Sequence, residues 1–451
     1  MCNRGVMSRT IDADYLVVGA GATGMAFVDA LVDHSDARVV IVDRRRGPGG
    51  HWLEAYPFVR LHQSSAFYGV ASTLLGGGRL QDSGPEAGLQ ERASQTEITD
   101  YYARVLERLR ATGRVDFLPG TDVGSLEVPT SCRVVNAHHL APTIPAETPP
   151  PFLVEPGARV VAVNELARLE ELPASYVVVG SGKTATDACV WLLEHGVDPG
   201  AICWVRPREP WMLNRAVVQP DPAIFLGMAA DVMQAGAAAT TLDDFFLRME
   251  EGGVMLRIDR DRLPTMAKAP TLARWELDRL RTIEDVVRRG HIRSVDAGRL
   301  HFDDGTVEVA RDALVVHCAA DGLRQPPLVP VWRPEDITLQ PVRAGFPCFG
   351  AALTGYVEAT RTDDAEKNRL CPPSNYGNSL ADWAAMTVRG ARATATFSAE
   401  PDIKEWADGV ALNPARVPAG HPPSAALDDA RARLAEHGGP GTANLAALGG
   451  L

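Results

Sequence analysis

The stretch Asp14-Tyr15-Leu16-Val17-Val18-Gly19-Ala20-Gly21-Ala22-Thr23-Gly24 decides the fold. An apolar run of strand length stops in glycines, and residues 25–32 then read as a helix. A second apolar run, Arg38-Val39-Val40-Ile41-Val42, stops at Asp43. Strand, glycine turn, helix, strand is one βαβ unit, and continuously apolar strands suit a parallel sheet covered on both faces.

The design repeats. Ser175-Tyr176-Val177-Val178-Val179 leads into Gly180-Ser181-Gly182-Lys183-Thr184-Ala185, a helix is expected over 186–195, and the strand Ala201-Ile202-Cys203-Trp204-Val205 stops at Arg206. From first glycine to strand-end residue the spans are 24 and 26. The expected fold class is α/β, with two Rossmann-like dinucleotide-binding domains and a helical insertion.

Gly19, Gly21 and Gly24 have the spacing G-x-G-x-x-G. The first glycine makes a tight turn, the second lets a pyrophosphate approach the backbone, and the third lets helix and strand pack closely. The following helix offers unpaired N–H groups and the positive end of its dipole, which include Ala22 and Thr23 in the first turn. Asp43, 19 residues after Gly24, is placed to bond a ribose diol. In the second unit Ala185 replaces the third glycine, and the strand-end residue is basic, in Arg206-Pro207-Arg208. A guanidinium there suits the 2′-phosphate of NADP, which a carboxylate repels. The reversal of sign predicts two different nucleotides, FAD or NAD on the first unit and NADP on the second. Gly182-Lys183-Thr184 is not a phosphate loop of the triphosphatase type, because position 177 is Val where that motif needs Gly. Lys183 remains a candidate contact to a pyrophosphate or 2′-phosphate, with a solvated side chain as the bland alternative.

The chain has 451 residues, 45% hydrophobic and 23% charged, with formal net charge −12. So acidic a surface argues against nucleic acid and anionic lipid, and the one basic run, Arg44-Arg45-Arg46, is short. No run approaches membrane-spanning length, and no signal peptide is recognised. The seven scattered cysteines fit reduced thiols and a cytoplasmic location and form no zinc-binding pattern. Neighbours His138 and His139 point to opposite faces of an expected strand, which disfavours a shared metal; none is expected. The proline-rich 142–156 reads as an extended crossing. The expected domains are 12–155 (FAD, first part), 170–300 (NADP, with a helical insertion at 216–290), 301–405 (FAD, second part) and a mobile tail at 410–451. Within the insertion 242–249 and 271–287 are the best helix candidates, and the tail holds one short helix near 424–436. A hairpin is expected over 299–309, and the strand after it, 313–317, is expected to rejoin the first sheet.

After Asp43 come Gly49-Gly50-His51-Trp52 and Tyr56-Pro57-Phe58-Val59-Arg60-Leu61-His62. With two glycine units about 160 residues apart, this resembles the flavin-containing and Baeyer–Villiger monooxygenase superfamily, over residues 12–400. The resemblance implies FAD on Gly19, Gly21, Gly24 and Asp43, with Arg44 beside it. It implies Gly50 and Trp52 along the pyrophosphate and flavin, Val123 at adenine, and His62 with Gln63 near the flavin ring. It implies NADPH on Gly180, Ser181, Gly182, Lys183, Thr184, Arg206 and Arg208. In that family NADPH reduces the flavin and one atom of O2 reaches a small organic substrate. The chain departs from the family in Phe58 for glycine, in His62 for an acid, in Cys318-Ala319-Ala320 for Ala-Thr-Gly, and in lacking the family's histidine fingerprint.

His62 and Gln63 are the candidate catalytic residues, as flavin contacts or in proton delivery. Trp211–Asn214 with Arg215 can wall the nicotinamide pocket or serve the core, and the loop 375–378 is a candidate to reach flavin or substrate. The reading is an NADPH- and FAD-dependent monooxygenase. A flavin oxidase or dehydrogenase, and a nucleotide-binding sensor without turnover, stay open. Substrate and oligomeric state are not set by the sequence.

Overall fold

The computed structural model describes residues 9–171, 173–320, 322–343, 345–374 and 376–451. Its frame is two separate five-stranded sheets, each wholly parallel. The first runs in the order Asp336–Thr338, Arg133–Asn136, Tyr15–Val18, Val39–Asp43 and Val115–Pro119. The second runs Val286–Val287, Ile202–Val205, Tyr176–Val179, Leu314–His317 and Arg159–Ala162. Strands such as Val39–Asp43 and Tyr176–Val179 are buried at every position, so both faces are covered, as their unbroken apolar sequence requires. The α/β class with two Rossmann-like units stands.

Three expectations change. The strand Leu314–His317 does not rejoin the first sheet; it lies in the second, between Tyr176–Val179 and Arg159–Ala162. The return to the first sheet comes later, at Asp336–Thr338. Apolar character shows that such a strand is buried, but either parallel sheet buries it equally well. The hairpin does form, Arg299–Phe302 against Gly305–Glu308, but it belongs to a four-stranded sheet with Leu153–Val154. Its Leu300 and Phe302 pack with Val177, Val179 and Val205, so it stands with the second unit.

The insertion is not mainly helical. It holds helices Pro222–Ala238 and Leu242–Glu251, but Met255–Arg257 and Met266–Leu272 flank Pro210–Asn214 in a three-stranded sheet. The expected helix over 271–287 shrinks to Arg274–Leu280 between strands. The tail is not a loose end either. Ala425–Leu448 is one helix packed along Pro222–Ala238, where a side chain at Gly236 would meet Leu445 Cγ at 2.8 Å. Asn444 Nδ2 donates to the carbonyls of Gly236 at 2.8 Å and Ala239 at 2.7 Å. With Trp211, Phe245, Phe246 and Trp383, Leu445 closes a separate core. The alanine-rich composition that suggested mobility is what lets two helices approach closely.

Candidate functional site

Parallel strands put the carboxyl ends of all five on one edge, and both glycine turns stand at such an edge. Gly19 has φ +119°, and a Cβ there would lie 2.7 Å from His138 Cδ2. A Cβ on Gly24 would overlap the Gly19 carbonyl oxygen, so this position has room for glycine only. Gly21 N-caps the helix Ala22–His34 and offers no side-chain bond to its N–H groups. Gly182 leaves Lys183–Glu194 in the same state. By contrast, Ser94, Asp221, Thr241, Ser379 and Ser424 each cap their helix with a side-chain oxygen. The two glycine turns thus keep free the donors that a pyrophosphate takes.

Around the first turn, Asp43 is buried. Its Oδ2 accepts the Ala20 N–H and its Oδ1 the Arg45 N–H, both at 2.8 Å, which ties the turn to the strand end. Each oxygen keeps a second lone pair. Gly49 donates its N–H to the Ala20 carbonyl at 2.8 Å, and Gly50 passes against the Gly21 backbone. Thr23 Oγ1 lies 3.5 Å from the Ala137 carbonyl. Arg44 is mostly exposed and pairs with Glu147, as does Arg45. His138 follows the strand Arg133–Asn136 and covers Gly19; burial pushes its pKa down, and Asp43 opposes that shift. The sequence places His138 on a strand, but the strand ends at Asn136, and His138 follows it at the rim of the Gly19 turn.

The remaining first-unit candidates divide. Trp52 enters the core and donates its indole N–H to the Tyr68 hydroxyl at 2.6 Å. Val123 is exposed in the turn after Val115–Pro119, next to Gly120 and Thr121, whose N–H groups bond the Arg45 and Asp43 carbonyls.

In the second turn Gly180 has φ +139°, Ala185 fills the third-glycine place, and the space over Gly182 is open. Ser181 and Thr184 are half-buried. The Gly180 carbonyl accepts the Trp204 indole N–H at 2.9 Å. Arg206 lies against that indole, 4.6 Å from its centroid, with Nη2 3.2 Å from Glu209 Oε1. Its side chain is 2% exposed, yet Nε and Nη1 have no partner. Arg208 is exposed, and Arg288 also holds Glu209. The Lys183 ammonium is held by Asp187 and, at 3.1 Å, by Glu276. It is therefore neither solvated nor free for a phosphate.

Between the turns runs the segment from Gly50 to His62. Tyr56 donates its hydroxyl to Asp187 Oδ2 at 2.7 Å on the second-turn helix, and Phe58 stacks on Trp191. His62 Nδ1 accepts the Thr271 N–H at 3.3 Å, which assigns the ring proton to Nε2. Arg215 Nε donates to the His62 carbonyl at 2.9 Å. Burial, then Lys183, Arg215 and Arg92, pushes the His62 pKa down to about 3 against an opposing Glu276, so the ring is neutral. Gln63 is buried beside it.

Arg215, 1% exposed, bonds Glu86 and, at 2.7 Å, Glu276; Arg92 holds Glu86 at 2.8 Å, and Trp275 Nε1 donates to Glu86 at 3.1 Å. Burial, which raises the Glu276 carboxyl, is outweighed by Lys183, Arg215 and Arg92, which hold it at about 2. No motif marks Glu86, Arg92 or Glu276: Glu86 and Arg92 share one loop, but Arg215 lies 129 residues from Glu86 and 61 from Glu276, and only folding joins them. In the strand Pro210–Asn214, Trp211 and Met212 are fully buried and serve the core. Asn375 lies outside the described residues. No group of three or more metal-ligating side chains occurs among the described residues, and no described helix is long and apolar enough to cross a membrane.

Residues 17–68 match the family described as an NAD(P)-binding Rossmann-like domain. Uncharacterized proteins of Mycobacterium tuberculosis and Mycobacterium bovis are 41% identical over 421 residues, 90% of this chain and 78% of theirs. The chain belongs to the same family as these mycobacterial proteins. Among solved structures, an open form of cyclohexanone monooxygenase is 16% identical with a TM-score of 0.49, covering 78% of this chain and 88% of that one. A flavin monooxygenase mutant from Stenotrophomonas maltophilia is 14% identical with a TM-score of 0.42, covering 78% and 98%.

Proposed function

We propose that this chain is a FAD-dependent, NADPH-reduced monooxygenase that transfers one oxygen atom of O2 to a small organic molecule. The observation that carries it is the pair of uncapped glycine-turn helices at the edges of two parallel sheets, joined by the segment from Gly50 to His62. FAD, when bound, supplies hydride acceptance from NADPH and the reaction with O2. Gly19, Gly21, Ala22, Thr23 and Gly24 present backbone N–H groups and a close backbone to its pyrophosphate. Asp43 takes the ribose diol with its spare lone pairs, Arg44 and Gly50 border the site, and Val123 lies at the adenine end. Trp52 acts from the core by fixing the segment after Gly50. His62, neutral and with its proton on Nε2, would hold that proton beside bound FAD instead of cycling as an acid, with Gln63 beside it. Gly180, Ser181, Gly182 and Thr184 receive NADPH, and Arg206, with two unpartnered donors, and Arg208 receive the 2′-phosphate. Lys183 orients Glu276 and Asp187.

The test is purification with FAD, followed by turnover with NADPH under labelled O2. Oxygen label in an organic product supports the reading, and a colourless protein that takes up no FAD removes it. A second reading, an oxidase or dehydrogenase with weak use of NADPH, is favoured by one observation: Lys183 and Arg206 are already engaged by carboxylates. Hydrogen peroxide release without label in any product marks that outcome.

A further inference from the structure

Two guanidiniums meet at the carboxyl edge of the second sheet. Arg206 directly follows the strand Ile202–Val205, and Arg288 directly follows Val286–Val287. These strands are parallel neighbours with Val205 opposite Val287, and the Arg206 N–H donates to the Val287 carbonyl at 2.9 Å. Like charges on adjacent strand ends repel. One carboxylate oxygen offsets that repulsion. Glu209 Oε1 lies 3.2 Å from Arg206 Nη2 and accepts the Arg288 Nε–H at 2.6 Å. Arg288 Nη2 turns the other way, to Asp259 Oδ2 at 2.6 Å. Glu209 stands in the same turn as Arg206, and its carbonyl accepts the Thr265 N–H at 3.2 Å, which ties that turn to the start of Met266–Leu272.

Arg206 is left only partly satisfied. It is 2% exposed and packs on the Trp204 indole, yet its Nε and Nη1 have no partner. Burial pushes its pKa down, Glu209 opposes that shift, and Arg288 adds to it. A buried guanidinium is best met by an anion that engages two of its donors at once. A single oxygen of Glu209, shared with Arg288, does not do that. A phosphate monoester, with close to two negative charges and three acceptor oxygens, suits both guanidiniums together. Glu209 thus fills, from within the chain, the place between Arg206 and Arg288 where such an anion fits. Asp259 keeps hold of Arg288 when that carboxylate moves aside.

We infer that Glu209 is a built-in competitor of the 2′-phosphate, and that it sets how strongly the second unit prefers NADPH over NADH. This rests on the placement of NADPH at the Gly180 turn. The 2′-phosphate displaces the carboxylate on binding, so the apparent affinity falls with the fraction of time that Arg206 is free. NADH has no such group and gains nothing from the displacement. The test is calorimetric titration with adenosine 2′,5′-bisphosphate and adenosine 5′-monophosphate, which present the adenosine end with and without the 2′-phosphate and need no turnover. Glu209→Gln is expected to bind the bisphosphate roughly tenfold more tightly than the parent does, with the monophosphate changed little. In an Arg206→Gln background the same substitution should bring no gain. Because Glu209→Gln leaves Arg206 uncompensated, it should also melt lower, and inorganic phosphate should raise its Tm more than that of the parent. That second measurement separates a folded variant from a damaged one. Unchanged or weaker bisphosphate binding by a folded Glu209→Gln chain overturns the inference. So does an equal gain for the monophosphate, or a gain that persists without Arg206. If the chain takes up no FAD, the monooxygenase reading falls on its own, and the comparison of the two adenosine phosphates still decides the role of Glu209.

Discussion

Replacing Arg215 with Met removes the hub of the buried ion network while keeping a long apolar stem. The guanidinium bonds Glu86 and Glu276, and all three side chains are at most 5% exposed. Breaking a buried ion pair from one side costs about 3–5 kcal/mol. Arg92 still serves Glu86 and Lys183 still serves Glu276, so the lower end, about 3 kcal/mol, is expected. Acid gives a second signature. Glu276 is held at about 2, below its ordinary 4.5. A carboxylate depressed in this way stabilises the fold fully above pH 4.5, and that contribution is lost as pH falls through 4.5 toward 2; here it amounts to about 3 kcal/mol. In Arg215→Met the Glu276 pKa rises, so less remains to be lost. The gap between variant and parent should therefore narrow as pH falls across that window. Urea melts followed by tryptophan fluorescence and far-UV circular dichroism measure both quantities, provided the two probes coincide. A variant within about 1 kcal/mol of the parent at pH 7 would refute the network's role. So would a gap independent of pH.

Gly24→Ala, whose Cβ meets the Gly19 carbonyl, should lower FAD affinity roughly tenfold or more, read from the flavin absorbance of the purified protein. Arg206→Glu should raise the dissociation constant for NADPH roughly tenfold while leaving NADH nearly unchanged; equal effects on both would remove the 2′-phosphate argument. His62, held at about 3, should remain neutral with its proton on Nε2 down to about pH 5, as followed by nitrogen NMR of labelled histidine. Because the unfolded chain takes up a proton there near 6.5 and the folded one does not, stability falls below that pH, and His62→Asn should flatten the slope. Leu445→Ala should cost about 2–4 kcal/mol through the cavity left against Gly236, measured as a lower urea midpoint.

The βαβ units were legible because their signals are local. An apolar strand, glycines at fixed spacing and a helix lie within about 26 residues of each other, and the backbone geometry follows from the residues themselves. Asp43 was legible for the same reason, as the last residue of its strand. The sequence could not decide which sheet receives Leu314–His317, since an apolar strand is equally content in either parallel sheet. Nor could it show that Lys183 turns to Asp187 and Glu276, because Glu276 lies 93 residues away.

On its own the sequence determined the two glycine turns, their uncapped helices and the opposite charge at their strand ends, since each depends on neighbours a few residues away. The tertiary structure alone decided the network around His62 and the docking of the last helix. These depend on contacts between distant segments, whose partners are selected by burial and by the need to compensate charge away from water.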